Sequence, residues 1–176
     1  MRAVDIDTIG LAGDSAITVS REHRLSLGPR RVEPLSVLAH NQPQALDEME
    51  RLLALGEKRS SMIQPVEFFR ILKGNGSHDL SRTEALTLEV LRDGPRSRDH
   101  LGQLVGVMDP SMVPTGRLES LGVIQLSTLT PTDVLHVQGI FTRWNVPAAR
   151  LGLHLFVLAS ALAPGLARRI HTTGRS

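Results

Sequence analysis

Val4-Asp5-Ile6-Asp7-Thr8-Ile9-Gly10-Leu11-Ala12-Gly13-Asp14-Ser15-Ala16-Ile17 is the stretch on which the reading of the fold turns. An apolar, strand-like lead (Val4, Ile6) runs into a bend of small residues (Gly10, Ala12, Gly13). Asp14 and Ser15 follow, and then the alternating run Ala16-Ile17-Thr18-Val19. Alternation of this kind predicts strands over Val4–Ile9 and Ala16–Ser20, with a third near Arg24–Leu27. Glycine lets a backbone bend sharply and lets another group approach the main chain. Successive N–H groups in such a bend can cradle an anion, most often phosphate. The same residues also suit an ordinary hairpin turn, in which Asp and Ser bond the nearby backbone. Local pattern alone leaves both readings open.

Composition narrows the field. The chain has 176 residues, 41% of them hydrophobic, enough to bury a core and too many for wholesale disorder. Aromatic residues make up only 3%, with no Tyr and one Trp, so the core must be built from aliphatic side chains. The same scarcity argues against aromatic platforms for single-stranded nucleic acid. There is no cysteine, which excludes disulfide and thiolate chemistry and leads us to expect a cytoplasmic protein. The formal charge is +2 and the basic residues are scattered, so charge alone gives no reason to expect a nucleic-acid partner. The apolar stretch Leu151–Leu166 contains His154, Ser160 and Pro164-Gly165 and falls short of a membrane span. The start of the sequence is polar and strand-like, without the pattern of a signal peptide.

Further along, residues 42–55 repeat Leu46, Met49, Leu52 and Leu53 at helical spacing, with Pro43 suited to the first turn. Lys58–Gln64 reads as a linker, Pro65–Leu72 as a short apolar segment of open type, and Gly74-Asn75-Gly76-Ser77 as a turn. Residues 81–127 have a pattern of their own. Ser81 with Glu84 forms a capping box for one helix, Ser97 can cap a second, and Asp109 or Ser111 can open a third. Gly122 marks the stop, and Val123-Ile124-Gln125-Leu126 reads as a strand. Three short helices and a strand are the layout of a winged helix-turn-helix. A DNA reader would carry several cations on the third helix, which offers only Arg117 beside Glu119, so a packing or docking insert is the expectation. A helix is expected over 131–143, starting at Thr130-Pro131, and a last one over roughly 147–162.

Two constellations can carry chemistry. Arg30 and Arg31, after the fixed turn Gly28-Pro29, place two guanidinium groups side by side, a form suited to phosphate or carboxylate. Asp133 and His136 stand three apart on an expected helix and so share a face. They can ligate a metal or act as an acid–base pair. Equally, Asp133 can cap the helix begun at Thr130, with His136 a satisfied interior residue. The other six histidines show no ligand spacing.

Three stretches occurring in one order tie these features together: Thr8-Ile9-Gly10-Leu11-Ala12-Gly13-Asp14-Ser15, Gly28-Pro29-Arg30-Arg31-Val32-Glu33-Pro34-Leu35 and Leu129-Thr130-Pro131-Thr132-Asp133-Val134-Leu135-His136-Val137-Gln138-Gly139. In this order they resemble the hydantoinase/oxoprolinase A family, over about residues 3–55 and 120–170. The resemblance implies the second lobe of an actin-like ATPase fold: a mixed α+β (α/β) unit, a small sheet packed with helices, formed by 1–72 and 128–176. The winged-helix-like insert would span 78–127. It places Gly10, Gly13, Asp14 and Ser15 in a phosphate loop for ATP, with Asp14 holding a divalent metal through water, and it puts Asp5 at an acidic position of the same motif. It also raises the functional reading of Asp133 and His136 as metal ligands. Ala12 stands where many members have glycine, so a methyl narrows the approach. Full-length members resemble ATP-assisted hydrolases that open cyclic amides, or related carboxylases acting on small carbonyl compounds. Their first phosphate loop, Asp-x-Gly-Gly-Thr, has no counterpart here. The expectation is therefore a chain inactive alone, whose partner is the missing first lobe or another subunit. The alternative expectation is a non-catalytic winged-helix module that docks protein or DNA.

Overall fold

A computed structural model of the chain describes residues 13–20, 24–55, 66–72 and 79–162. Asp5, Gly10, Ala12, the strand expected at Val4–Ile9 and the expected linker and turn at 58–64 and 74–77 lie outside the described residues.

The fold is mixed α+β. Strands β1 (Ser15–Val19) and β2 (Leu25–Arg31) form an antiparallel ribbon. A second sheet has four strands in the order β3-β6-β4-β5, namely β3 (Glu33–Pro34), β6 (Ile124–Thr128), β4 (Phe68–Ile71) and β5 (Arg96–Ser97). Strands β3 and β6 run parallel, and β4 is antiparallel to both its neighbours. Gly28-Pro29 does not end the ribbon, as the sequence suggested. The register slips between Ser15 and Ile17, and Gly28 takes φ +65°, so β2 carries through to Arg31.

The open segment 65–72 supplies β4, and its two phenylalanines show how the molecule is layered. Successive strand residues face opposite sides of a sheet. Phe68 enters a core with Leu35, Leu38, Met49, Leu52, Leu129 and Leu155. Phe69 enters the other, with Leu88, Leu91, Leu101, Leu118, Ile124 and Leu126. One sheet thus separates two helical layers. On one side lie α1 (Leu35–Asn41), α2 (Gln44–Leu55) and α7 (Val146–Leu162). On the other lie α3 (Arg82–Arg92), α4 (Arg98–Val105) and α5 (Thr115–Ser120). Gly152 lets α7 press on α1, since a Cβ there would sit 2.4 Å from Leu35 Cδ1.

The caps of the second layer follow the sequence closely. Ser81 and Glu84 make a reciprocal capping box on α3, and Ser97 caps α4. The expected third helix is divided. Asp109 caps a 3-10 turn at Pro110–Met112, and Pro114 separates that turn from α5. The buried Glu48 of α2 ties the layers together. It accepts from the Ser97 backbone N–H (3.0 Å) and hydroxyl (2.6 Å), from His100 Nδ1 (2.8 Å) and from Arg51 Nε (3.3 Å). Burial pushes its carboxyl up, but the bonds from Ser97 and His100 outweigh this and hold it below the usual glutamate range. Among the described residues, no helix is long and apolar enough to cross a membrane.

Candidate functional site

The segments that stand far apart in sequence meet at the base of the ribbon. There β1 leaves the Gly13-Asp14 turn, β2 arrives, and α6 (Pro131–Val137) begins. The Val32 N–H donates to the Asp14 carbonyl at 2.8 Å, and Arg31 Nε donates to Asp14 Oδ2 at 2.8 Å. Thr132 closes the third side: its N–H (3.1 Å) and its hydroxyl (2.7 Å) both donate to the Gly13 carbonyl. Position 13 must be glycine for this approach, since a Cβ there would lie 2.6 Å from Thr132 Oγ1. The Ile17 N–H adds a bond to the Leu129 carbonyl at 2.9 Å.

Beside this node opens a polar cleft of about 260 Å³, lined by Asp14, Arg31, Val32, Glu33, Arg70 and Gln125. Its charges are partly spent. Arg70 grips Glu33 in a two-pronged pair (Nε 2.7 Å, Nη2 3.0 Å), and the Ser127 hydroxyl donates to Glu33 Oε2 at 2.8 Å. Arg31 remains 72% exposed despite its bond to Asp14. Asp14 Oδ1 is shielded from solvent and has no hydrogen-bond partner among the described residues. Arg30, the next residue along β2, pairs instead with Glu119 of α5 and is 51% exposed. Ser15 is buried, its side chain lying against Gly28, so its hydroxyl is not part of the open face.

Asp133 and His136 share α6 but serve different neighbours. Helix α1 starts after Pro34, which provides no side-chain cap. The first amides of a helix need acceptors, and Asp133 supplies them from across the fold. Its carboxylate accepts from Leu35 N (3.2 Å), Ser36 N (2.8 Å), Thr130 N (3.0 Å) and the Thr130 hydroxyl (2.9 Å). The same carboxylate completes the capping box of α6. Burial pushes the Asp133 carboxyl above the usual aspartate range, with the bonds from Ser36, Thr130 and Leu35 pulling it back.

His136 is fully buried. Its Nδ1 lies 2.8 Å from the Thr132 carbonyl, and the Trp144 N–H donates to its Nε2 at 3.1 Å. A carbonyl can only accept and an amide N–H only donate, so these two contacts select the neutral Nδ1–H tautomer. Trp144 stacks on the imidazole at 5.5 Å, and Phe141 meets it edge-on at 4.9 Å. The metal role expected for Asp133 and His136 does not match this geometry, because the acceptor sites such a role would use are occupied by main-chain and hydroxyl donors. Among the described residues, no group of three or more His, Asp or Glu could hold a metal ion.

Gly13, Asp14 and Arg31 are thus brought together. Arg30 stands beside them with a different partner, and Asp133 and His136 lie behind them as supports. The sequence reading missed Glu33, Arg70 and Gln125. Arg70 could have been found from the pattern Phe68-Phe69-Arg70-Ile71, had that segment been read as a strand. Comparison with family models, with curated proteins and with solved structures returns no match.

Proposed function

We propose that this chain is the second-lobe part of a hydantoinase/oxoprolinase-like, ATP-dependent enzyme, and that it is inactive alone. The observation that carries the reading is the convergence of the three family-like stretches. Gly13-Asp14, Arg31-Val32 and Thr132 are more than 100 residues apart at the extremes, yet they are bonded to one another directly. In this reading the Gly13-Asp14 turn and the exposed guanidinium group of Arg31 form the phosphate-facing edge of half a clamp, with Arg30, held by Glu119, beside it. Arginine suits that task because its planar fork meets phosphate oxygens two at a time. A water-bridged divalent cation would meet the part of the Asp14 side chain that is exposed, since magnesium keeps much of its water. ATP, when bound, supplies the phosphoryl group that activates an amide or carboxylate oxygen. The cysteine-free composition supports a cytoplasmic setting.

The segment from α3 to β6 we read as a winged-helix-like insert. Its one cation on α5, Arg117, donates to Glu84 (2.6 Å) and to the Asp79 carbonyl (3.0 Å). A guanidinium engaged in this way favours packing over DNA reading.

The test is turnover by reconstitution. Purified chain with magnesium, ATP and 5-oxoproline should release no phosphate. Adding a first lobe that bears an Asp-x-Gly-Gly-Thr loop should restore release. Turnover by this chain alone would overturn the reading.

A further inference from the structure

Helix α7 has two faces, and among the described residues one is packed into the core while the other is largely open, with Leu153 at its border. Ala148, Ala149, Leu155 and Phe156 are buried, with Gly152 pressed on Leu35. The face between them carries Arg150, Leu153, His154, Val157 and Leu158, at helical spacing i, i+3, i+4, i+7 and i+8. With Val137 of α6 these side chains line a groove of about 320 Å³. Val157 is 53% and Leu158 39% exposed, and Ile140 and Phe141 add exposed apolar surface after α6. Apolar surface concentrated in this way marks an interaction site.

The charges on the groove say what fits it. Helix α7 contains no acidic residue, and Arg150 has no ion-pair partner among the described residues. A second copy docking by the same face would bring no carboxylate to Arg150. Residues 163–176 of this chain include Arg168, Arg169 and Arg175 and no acid, so their charge also mismatches. An anionic bilayer is normally recognised by a cluster of cations, whereas this groove offers one arginine. We propose that the α6–α7 groove docks an acidic amphipathic helix of a partner protein. Its apolar residues would lie on Val137, Leu153, Val157 and Leu158, and a carboxylate would meet Arg150. Helix-in-groove recognition uses this combination of apolar anchors and a flanking charge. The inference does not depend on the nucleotide reading above.

The experiment uses the whole chain and two fluorescein-labelled amphipathic helical peptides that share a leucine stripe, one flanked by Glu and one by Lys, read by anisotropy. The Glu peptide should bind about tenfold more tightly than the Lys peptide, and Arg150→Glu should reverse that order. Val157→Asp should abolish binding of both, while Leu104→Asp, on an exposed residue of α4 in the other layer, leaves it intact. All these positions are at least partly exposed, and matching unfolding curves would establish that the variants fold. Equal binding of the two peptides, or binding indifferent to Val157→Asp, would overturn the proposal. So would self-association by sedimentation or binding to phosphatidylserine vesicles, if Val157→Asp removes it.

Discussion

Replacing Asp133 tests how the node is held. In Asp133→Ala, the backbone N–H groups of Leu35, Ser36 and Thr130 lose their carboxylate acceptor together, as does the Thr130 hydroxyl. An orphaned buried donor costs roughly 1–3 kcal/mol, and water entering the space returns part of it, so the expected loss is roughly 3–5 kcal/mol. For a chain of this size that corresponds to a fall in Tm of roughly 6–20 °C. Asp133→Asn should be milder. Its carbonyl oxygen can take the Oδ2 position, which receives Leu35 N and both Thr130 donors, but its amide then points N–H at the Ser36 N–H. One lost acceptor and one opposed donor pair cost roughly 1–3 kcal/mol.

The pH profile adds a signature. The Asp133 carboxyl is displaced upward, so the fold binds its proton more tightly than the unfolded chain does. Wild-type stability from this group therefore falls as pH rises from the ordinary aspartate value through the raised one, and neither variant should show that step. Urea unfolding by circular dichroism at several pH values measures both effects. A loss below about 1 kcal/mol for Asp133→Ala would refute the capping argument. So would stabilisation of wild type by magnesium or manganese that both variants lack, since that would place a metal on Asp133.

Other perturbations probe the neighbouring contacts. Gly13→Ala places a methyl against Thr132 Oγ1 and should cost about 1–3 kcal/mol, with much of the loss relieved in a Thr132→Ala background; additive losses in the double mutant would show that the two do not touch. Glu48→Gln should be less stable than wild type at pH 7. Because the Glu48 carboxyl is held low, its contribution exists above the ordinary glutamate pKa and disappears as pH falls through the folded value, so the two stability curves should converge in acid. Curves that stay parallel down to about pH 3 would count against the Glu48–Ser97–His100 hub. His136→Phe keeps the ring but leaves the Trp144 N–H without its acceptor; a loss of about 1–3 kcal/mol and a changed Trp144 emission are expected, and unchanged emission would contradict the stacked geometry.

What was legible in the sequence was local. Ser81 with Glu84, Ser97, and Thr130 with Asp133 announced helix starts because a cap is a short-range bond between neighbours. Helix α1 has no start signal beside it in the sequence, because its cap comes from Asp133, distant along the chain, and Pro34 before it carries no capping group. The helix expected over 131–143 stops at Val137, where Gly139 at φ +74° turns the chain so that Trp144 folds back onto His136. Strand β4 carries no strand signal in the sequence because Phe68 and Phe69 are both buried, one on each face of a covered sheet, and such a strand shows no alternation. The candidate site was half legible for the same reason. Gly13 and Asp14 sit in a recognisable turn and Arg31 closely follows Gly28-Pro29, whereas Arg70 and Gln125 reach the cleft only through the pairing of β4 with β6.

The most direct test of the phosphate-facing edge is thermal unfolding of the whole chain across a titration of magnesium–ATP, run in parallel on wild type, Arg31→Ala and Asp14→Ala. A ligand at a hundred times its Kd stabilises by about 2.7 kcal/mol, which at this size raises Tm by roughly 5–11 °C. The account predicts a saturable rise of that order in wild type and none in either variant. No rise in wild type, or an equal rise in all three proteins, would contradict it.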